Sequence, residues 1–284
     1  MTMDRDRDDF RERYGPWALV AGGSDGIGEA FAHEVAAAGL DVVLLARRPD
    51  VLAETAAAIE RAHGVQTRTI VADLTAPGLE VTVADTIEGI DVGLLVYNAG
   101  AVHGAAKFLE RPIEDARTLV DLNCHGTVTL AHLLGQPMKA RRRGGMIFMT
   151  SMSALSGGCY VATYAATKSF DLIFAEALWQ ELQPDGIDVL SVIAGATDTP
   201  AMRRSNDRFG EYPGIQDPKE VASTALDHLG RGPTFVPGDA NRGGAAYLWP
   251  RSRVELSNMM SKATAEMYDL PFTEATGEDF HPPA

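Results

Sequence analysis

Cysteine is almost absent from this chain: Cys124 and Cys159 are the only two in 284 residues and form no CxxC pair. Two thiols cannot build a disulfide framework, which excludes a small cross-linked fold and fits a reducing cytoplasm. Both are expected to be small buried residues. Apolar runs are short as well. None approaches the roughly 20 residues that a membrane span needs, and the opening "MTMDRDRDDFRERYG" has no apolar segment of the kind a signal peptide carries. Positive charge is scarce: 25 basic residues face 39 acidic ones, a net charge of -14. That balance argues against a nucleic-acid partner. The "RRR" at 141–143 is expected to be a solvated helix end. His125 and His132 have no carboxylate or Cys pattern around them, so no metal is expected.

The chain does hold a regular alternation of short apolar runs and longer Ala-rich stretches. The runs at 17–21, 41–46, 67–72, 92–97, 145–150 and 187–193 are nearly continuous in hydrophobic residues. Strands buried on both faces have this composition, so a parallel sheet covered by helices is expected. Helices fit the intervals 26–38, 51–63, 113–134 and 164–182, giving an α/β fold: a single-domain, doubly wound sheet of the Rossmann type. The domain is expected to span 15–250, after a frayed, solvated arm at 1–14 and before a C-terminal helix and tail at 251–284. Prolines at 200, 213, 218, 233 and 237 break the pattern after residue 193. A substrate-facing segment is expected there, at about 195–220.

The first strand runs into "AGGSDGIG", in which Gly22, Gly26 and Gly28 enclose Ser24, Asp25 and Ile27. Such a turn lets backbone approach a pyrophosphate, and the helix that follows offers free N–H groups to the anion. A plain tight turn is the alternative for glycines taken alone. The second strand ends "LLARRPD", with Arg47 and Arg48 where an NAD site places an acid; guanidinium groups there favour NADP(H) over NAD(H), unless both are merely solubilising. Asp73 and Leu74 follow the third strand, Asp73 placed to accept a bond from an adenine amino group. Asn98, Ala99 and Gly100 follow the fourth, where small residues let backbone pass a ribose. Turn chemistry alone could select these residues too.

The stretch "YVATYAATKSF" carries two tyrosines, and only Tyr164 has a lysine, Lys168, one helical turn ahead. An ammonium about 5 Å from a phenol at an effective dielectric of about 20 favours the phenolate by roughly 3 kcal/mol. Ser151 lies thirteen residues before Tyr164, at the end of the fifth strand. Asn123 sits inside a candidate helix, where its poor helix-forming tendency points to a backbone distortion or a water site, or simply to a solvated polar residue.

In order and spacing, from about residue 15 to about residue 200, these motifs resemble the classical short-chain dehydrogenase/reductase family. "GGSDGIG" is also similar to its hydroxysteroid and 3-ketoacyl reductase branch. The resemblance implies Tyr164 as general acid or base, Ser151 polarising a carbonyl, Lys168 favouring the phenolate and Asn123 supporting a water relay. It also implies Gly195, Thr197 and Thr199 at the cofactor, Thr199 on the nicotinamide carboxamide unless it only caps a helix. Ala21 departs from the family's usual Thr and Ala194 from its usual Pro. The expected activity is NADP(H)-dependent interconversion of a secondary alcohol and a ketone on an apolar small molecule. A non-catalytic NADP(H)-binding redox sensor and a nucleotide-dependent epimerase are the alternatives. A homodimer or homotetramer is implied, contacting through the helices that begin near 113 and 164. In the tail, Leu256, Met259, Met260, Ala263 and Met267 share one face of a candidate helix, either packed on the domain or a subunit or closing over substrate.

Overall fold

The computed structural model describes residues 7–100, 104–206, 209–211 and 214–276. Seven parallel strands form its sheet: β1 (Trp17–Ala21), β2 (Asp41–Ala46), β3 (Thr67–Val71), β4 (Val92–Tyr97), β5 (Gly144–Ser151), β6 (Ile187–Ala194) and β7 (Thr234–Phe235), in the order β3-β2-β1-β4-β5-β6-β7. The helices among the described residues are α1 (Arg7–Tyr14), α2 (Gly26–Ala37), α3 (Pro49–His63), α4 (Leu79–Thr86), α5 (Ile113–Val120), α6 (Gly126–Arg141), α7 (Ala162–Leu182), α8 (Pro200–Ser205), α9 (Pro218–His228), α10 (Asp239–Leu248) and α11 (Arg253–Tyr268). Alternation within the strands explains the layering. Ala18 and Val20 enter one core with Phe31 of α2, Leu52 of α3 and Val221 of α9, while Trp17, Leu19 and Ala21 enter the other with Val83 of α4, Leu130 of α6 and Ala175 of α7. Both faces of the sheet are therefore covered, as the apolar runs required. The sheet order reverses between β1 and β4, which opens a cleft at the strand C-termini.

The N-terminal segment differs from the expected solvated arm. Residues from Arg7 form α1, which buries Phe10 and Tyr14 in the core. The Tyr14 hydroxyl donates to Asp188 at 2.6 Å. The arginines at 141–143 do end α6, but of the three only Arg142 is exposed as expected. Arg141 pairs with Asp91 at 2.7 Å, and Arg143 donates to Asp91 at 2.8 Å and to the carbonyls of Glu12 and Gly15 at 3.1 and 2.7 Å. Charge complementarity thus ties α1 to the bottom of the sheet.

Several boundaries also shift. β3 lies at the sheet edge, so only Ile70 is buried and Val71 is 54% exposed. α4 is anchored by Leu79 and Val83 alone, and β7 has two residues, both too little for a sequence pattern to reveal. The single helix expected over 113–134 extends to Arg141 and is broken by a π-helical turn at Asp121–His125. Cys159 is exposed and Cys124 half-buried, where both were expected to be buried. His125 does have a carboxylate neighbour, Asp121 at 2.8 Å. Among the described residues no helix is long and apolar enough to cross a membrane.

Candidate active site

The glycine turn lies where β1 and β4 end. A Cβ on Gly28 would stand 2.0 Å from the Gly22 carbonyl oxygen, and one on Gly22, whose φ is +78°, would stand 2.9 Å from the Ala99 backbone. Neither position tolerates a side chain. Asn98 and Ala99 donate their N–H groups to the Ala21 carbonyl at 3.1 and 2.9 Å, which fixes the β4 loop against the turn. Asp25 occupies the N-cap of α2 but makes no cap bond. Its carboxylate is drawn away by Arg48 at 3.0 Å and Arg204 at 3.3 Å, so the first N–H groups of α2 keep no side-chain acceptor. Arg47, with its side chain 73% exposed, is the freer of the two strand-end arginines and lies 3.9 Å from Asp73. Asp73 accepts the backbone N–H and the hydroxyl of Thr75 at 2.9 and 2.8 Å; the Thr75 backbone bond first, then the Thr75 hydroxyl and the Arg47 charge, hold its carboxyl below the usual range against the opposing effect of partial burial. Ser24 and Leu74 are buried and Ile27 half-buried beside the cradle.

Three chain segments meet at Lys168. Its ammonium, 4% exposed as a residue, donates to the Met149 carbonyl of β5 at 2.8 Å and lies 3.1 Å from the Asp171 carboxylate. A Cβ on Gly100 would stand 3.4 Å from Lys168 Nζ and 3.6 Å from Asn123 Oδ1, so all three residues share one small space. Asn123 belongs to the π-helical turn and is fully buried. Its amide donates to the Thr167 hydroxyl at 2.8 Å, Thr127 donates to its carbonyl at 2.6 Å, and its Oδ1 has no protein donor. The π-helical turn thus holds this side chain against α7 through Thr167. Ser151 ends β5 two residues beyond Met149, with its hydroxyl accepting Ser153 N–H at 3.2 Å. Tyr164 stands one turn before Lys168 on α7, half-buried.

On the β6 side, Thr197 is buried and donates to the Gly195 carbonyl at 3.0 Å. Thr199 packs against Gly26 and does cap α8, its hydroxyl accepting Met202 N–H at 3.2 Å. A mostly apolar cleft opens beside Tyr164, with Phe108, Leu119, Tyr160 and Val161 on its walls together with the paired Arg111 and Asp115. Tyr160 precedes α7 with φ +70°, and its hydroxyl donates to the Pro271 carbonyl.

α11 reaches the same region. Its start is closed by reciprocal bonds between Ser252 and Glu255. Ser261 accepts the Cys159 N–H at 2.8 Å, and Asn206 donates to the Met267 carbonyl at 2.6 Å. The helix buries Leu256, Ser261 and Ala265 and half-buries Met259, Met260 and Met267; of the residues expected on its packed face, Ala263 alone is exposed. Burial pushes the Tyr268 phenol up, Ser205 acts against that, and the Tyr164 phenol adds to it. Thr167, Asp171, Arg204 and Tyr268 were not among the residues expected at the site. Only Asp171 had a sequence signal: a carboxylate three residues past Lys168, on the same helix face, inside the apolar "SFDLIF".

The glycine turn at the end of β1 and the buried lysine beside the ends of β4 and β5 lie together at the C-terminal edge of a doubly wound sheet. The family model for the short chain dehydrogenases matches residues 16–209, and the chain belongs to that family, whose members act on the CH–OH/C=O pair. It is 29% identical over 250 residues to a 7β-hydroxysteroid dehydrogenase of Collinsella aerofaciens, covering 87% of this chain and 94% of that protein. A solved 7β-hydroxysteroid dehydrogenase structure, also 29% identical, superposes with a TM-score of 0.81 over 88% of this chain and 98% of that one. A short-chain dehydrogenase from Sphingobium yanoikuyae in complex with NADPH, again 29% identical, gives 0.72 over 82% and 92%.

Proposed function

We propose that this protein is an NADP(H)-dependent oxidoreductase interconverting a secondary alcohol and a ketone on an apolar small molecule, with Tyr164 as general acid and base. The observation that carries this reading is the buried Lys168, one turn beyond Tyr164 and beside Asn123 and Gly100. Burying an ammonium is costly, and a purely structural position has no need of one. The cradle fits the dinucleotide: two glycines leave no room for side chains, and the first turn of α2 keeps its N–H groups uncapped. Arg47 and Arg48 supply guanidinium groups for a 2′-phosphate, and the NADPH complex of the Sphingobium relative supports that choice. Asp73, Leu74, Asn98, Gly195, Thr197 and Thr199 line the remaining strand ends, Thr199 retaining its hydroxyl proton to donate.

Bound there, the nicotinamide supplies the hydride chemistry. Tyr164 gives a proton to the substrate oxygen or takes one from it, and the Ser151 and Tyr164 hydroxyls stabilise charge developing on that oxygen. Lys168 favours the phenolate. Asn123, whose Oδ1 has no protein donor, supports a water relay by accepting a hydrogen bond there. The apolar walls of the cleft support an apolar substrate, and the hydroxysteroid relatives agree with it. In this reading α11 is the roof of the substrate site, and the protein works in the cytoplasm as a homodimer or homotetramer. Exposed Val120, Val128, Phe170 and Ile173 on α5, α6 and α7 are the proposed contacts.

The test follows net oxidation of NADPH with a panel of apolar ketones. Tyr164→Phe is expected to lose 10²- to 10⁴-fold, the usual worth of general acid catalysis, with cofactor affinity kept. Tyr160→Phe should act mainly on KM and stay within about tenfold. Turnover that survives in Tyr164→Phe and disappears in Tyr160→Phe overturns the assignment. Absence of net cofactor consumption with every ketone points instead to a sensor or an epimerase.

A further inference from the structure

Asp171 is the buried ionisable group that the proposed reaction leaves unused. It lies three residues past Lys168 on α7, is 1% exposed, and holds its Oδ2 3.1 Å from the lysine ammonium. With the Met149 carbonyl, it occupies two of the three ammonium protons. A carboxylate in an apolar segment of helix is retained against a large desolvation penalty, which an apolar residue at the same turn would avoid.

Two other titratable groups around the pair, Cys124 and Tyr97, are held in their neutral forms. From the π-helical turn, Cys124 has its thiol pushed up to about 11, by burial first and then by the Asp171 charge. From β4, burial pushes the Tyr97 phenol far up, and Asp171 adds to it. From α6 the neighbour is the uncharged Thr127; on the substrate side Tyr164 has the phenols of Tyr160 and Tyr268 as neighbours and shares its cleft with Arg111 and Asp115 of the α5 end. Lys168 and Asp171 are thus the buried charged groups of this cluster among the described residues, while Arg111 and Asp115 on the cleft wall form a more exposed pair of their own at 3.1 Å. Burial also pushes the Asp171 carboxyl up, and Lys168 opposes that shift.

We infer that Asp171 is a positioning residue: it anchors the Lys168 ammonium and offsets part of its field at Tyr164, so that the pair sets the pH range in which Tyr164 accepts a proton. The inference rests on the role given to Tyr164 above. Seven residues of α-helix place Asp171 about 10 Å from Tyr164 along the axis. One negative charge removed at that distance, at an effective dielectric of about 20, amounts to about one pH unit at the phenol.

Asp171→Asn keeps the shape and removes the charge. Two readouts are needed: the pH profile of kcat/KM for alcohol oxidation, and the ¹³C resonance of labelled tyrosine Cζ in the cofactor-free protein, with Tyr164 assigned by its loss in Tyr164→Phe. Both midpoints are expected to move toward acid by about one pH unit, because removing a negative charge favours the phenolate. Asp171→Ser, smaller and also neutral, should move them the same way. Midpoints that stay in place or move toward alkali overturn the inference, whatever happens to the rate. Failure of both variants to fold makes Asp171 a structural requirement and overturns it too. A Tyr164→Phe variant with normal turnover removes the catalytic reading and this inference together, whereas unmoved midpoints beside an inactive Tyr164→Phe remove this inference alone.

Discussion

Asp25 shows how much one side chain at the cradle decides. At the N-cap of α2 it could satisfy an orphan N–H, a contact usually worth about 1 kcal/mol. It faces Arg48 and Arg204 instead, and the helix start is left open to an anion. Arg48 is therefore partly neutralised before any ligand arrives, while Arg47 projects into solvent. NADPH is expected to bind more tightly than NADH, and Arg47→Ala should narrow the gap by about 1 to 3 kcal/mol as a charge-assisted phosphate contact is lost. Solvent screening of an exposed guanidinium favours the lower end of that range. Fluorescence titration of both proteins with both cofactors measures it; equal affinities in the unaltered protein would defeat the prediction.

At the scale of elements, α11 and the π-helical turn are the pieces that shape the site. Leu256, Ser261 and Ala265 seat α11, while Ser261 on Cys159 and Met267 on Asn206 latch it to the loop before α7 and to the end of α8. Ending the chain before Ser252 removes this roof and the Pro271 carbonyl that holds Tyr160. KM for an apolar ketone is expected to rise while NADPH affinity is unchanged, because the glycine turn and Arg47 lie on other elements. An unfolded truncation, or unaltered substrate kinetics, counts against a roof. The motifs of these elements were readable before any coordinates: Tyr164 and Lys168 share a helix face by their spacing, and Asn123 advertised a distortion by being a poor helix former amid apolar neighbours. The direction of the distortion was not readable, since a π-turn and a kink leave the same mark in one sequence.

For the whole molecule, the proposed assembly uses the exposed apolar residues of α5, α6 and α7, others being exposed on β3, on α4, before α5 and at α10. Ile173 is 63% exposed, and Phe170 stacks on Phe174 at 5.7 Å between ring centroids. In the proposed assembly a second copy of the chain covers these residues. Ile173→Asp is expected to convert the assembly to a smaller species in sedimentation velocity by placing a charge in the centre of the contact, with little change in monomer stability because the site is open to solvent. A protein that is monomeric before the substitution would contradict the proposed assembly.

The sequence by itself determined the doubly wound sheet, because strands buried on both faces must be apolar throughout and the glycine turn admits no side chain. It also determined which tyrosine stands a turn before the lysine, since helical spacing is local. Tertiary structure decided everything that depends on distant residues. α1 became part of the fold because Asp91 and Asp188 meet Arg143, Arg13 and Tyr14 there. β3 lost its expected burial because it fell at the edge, a consequence of strand order and not of composition. Lys168 found the Met149 carbonyl, and Asn123 found Thr167, only when α7 packed on β5 and on the π-helical turn. Hydrogen bonds of this kind join residues 19 and 44 positions apart. Local propensity carries no information about such pairs; closing the core on both faces of the sheet is what brings them within reach.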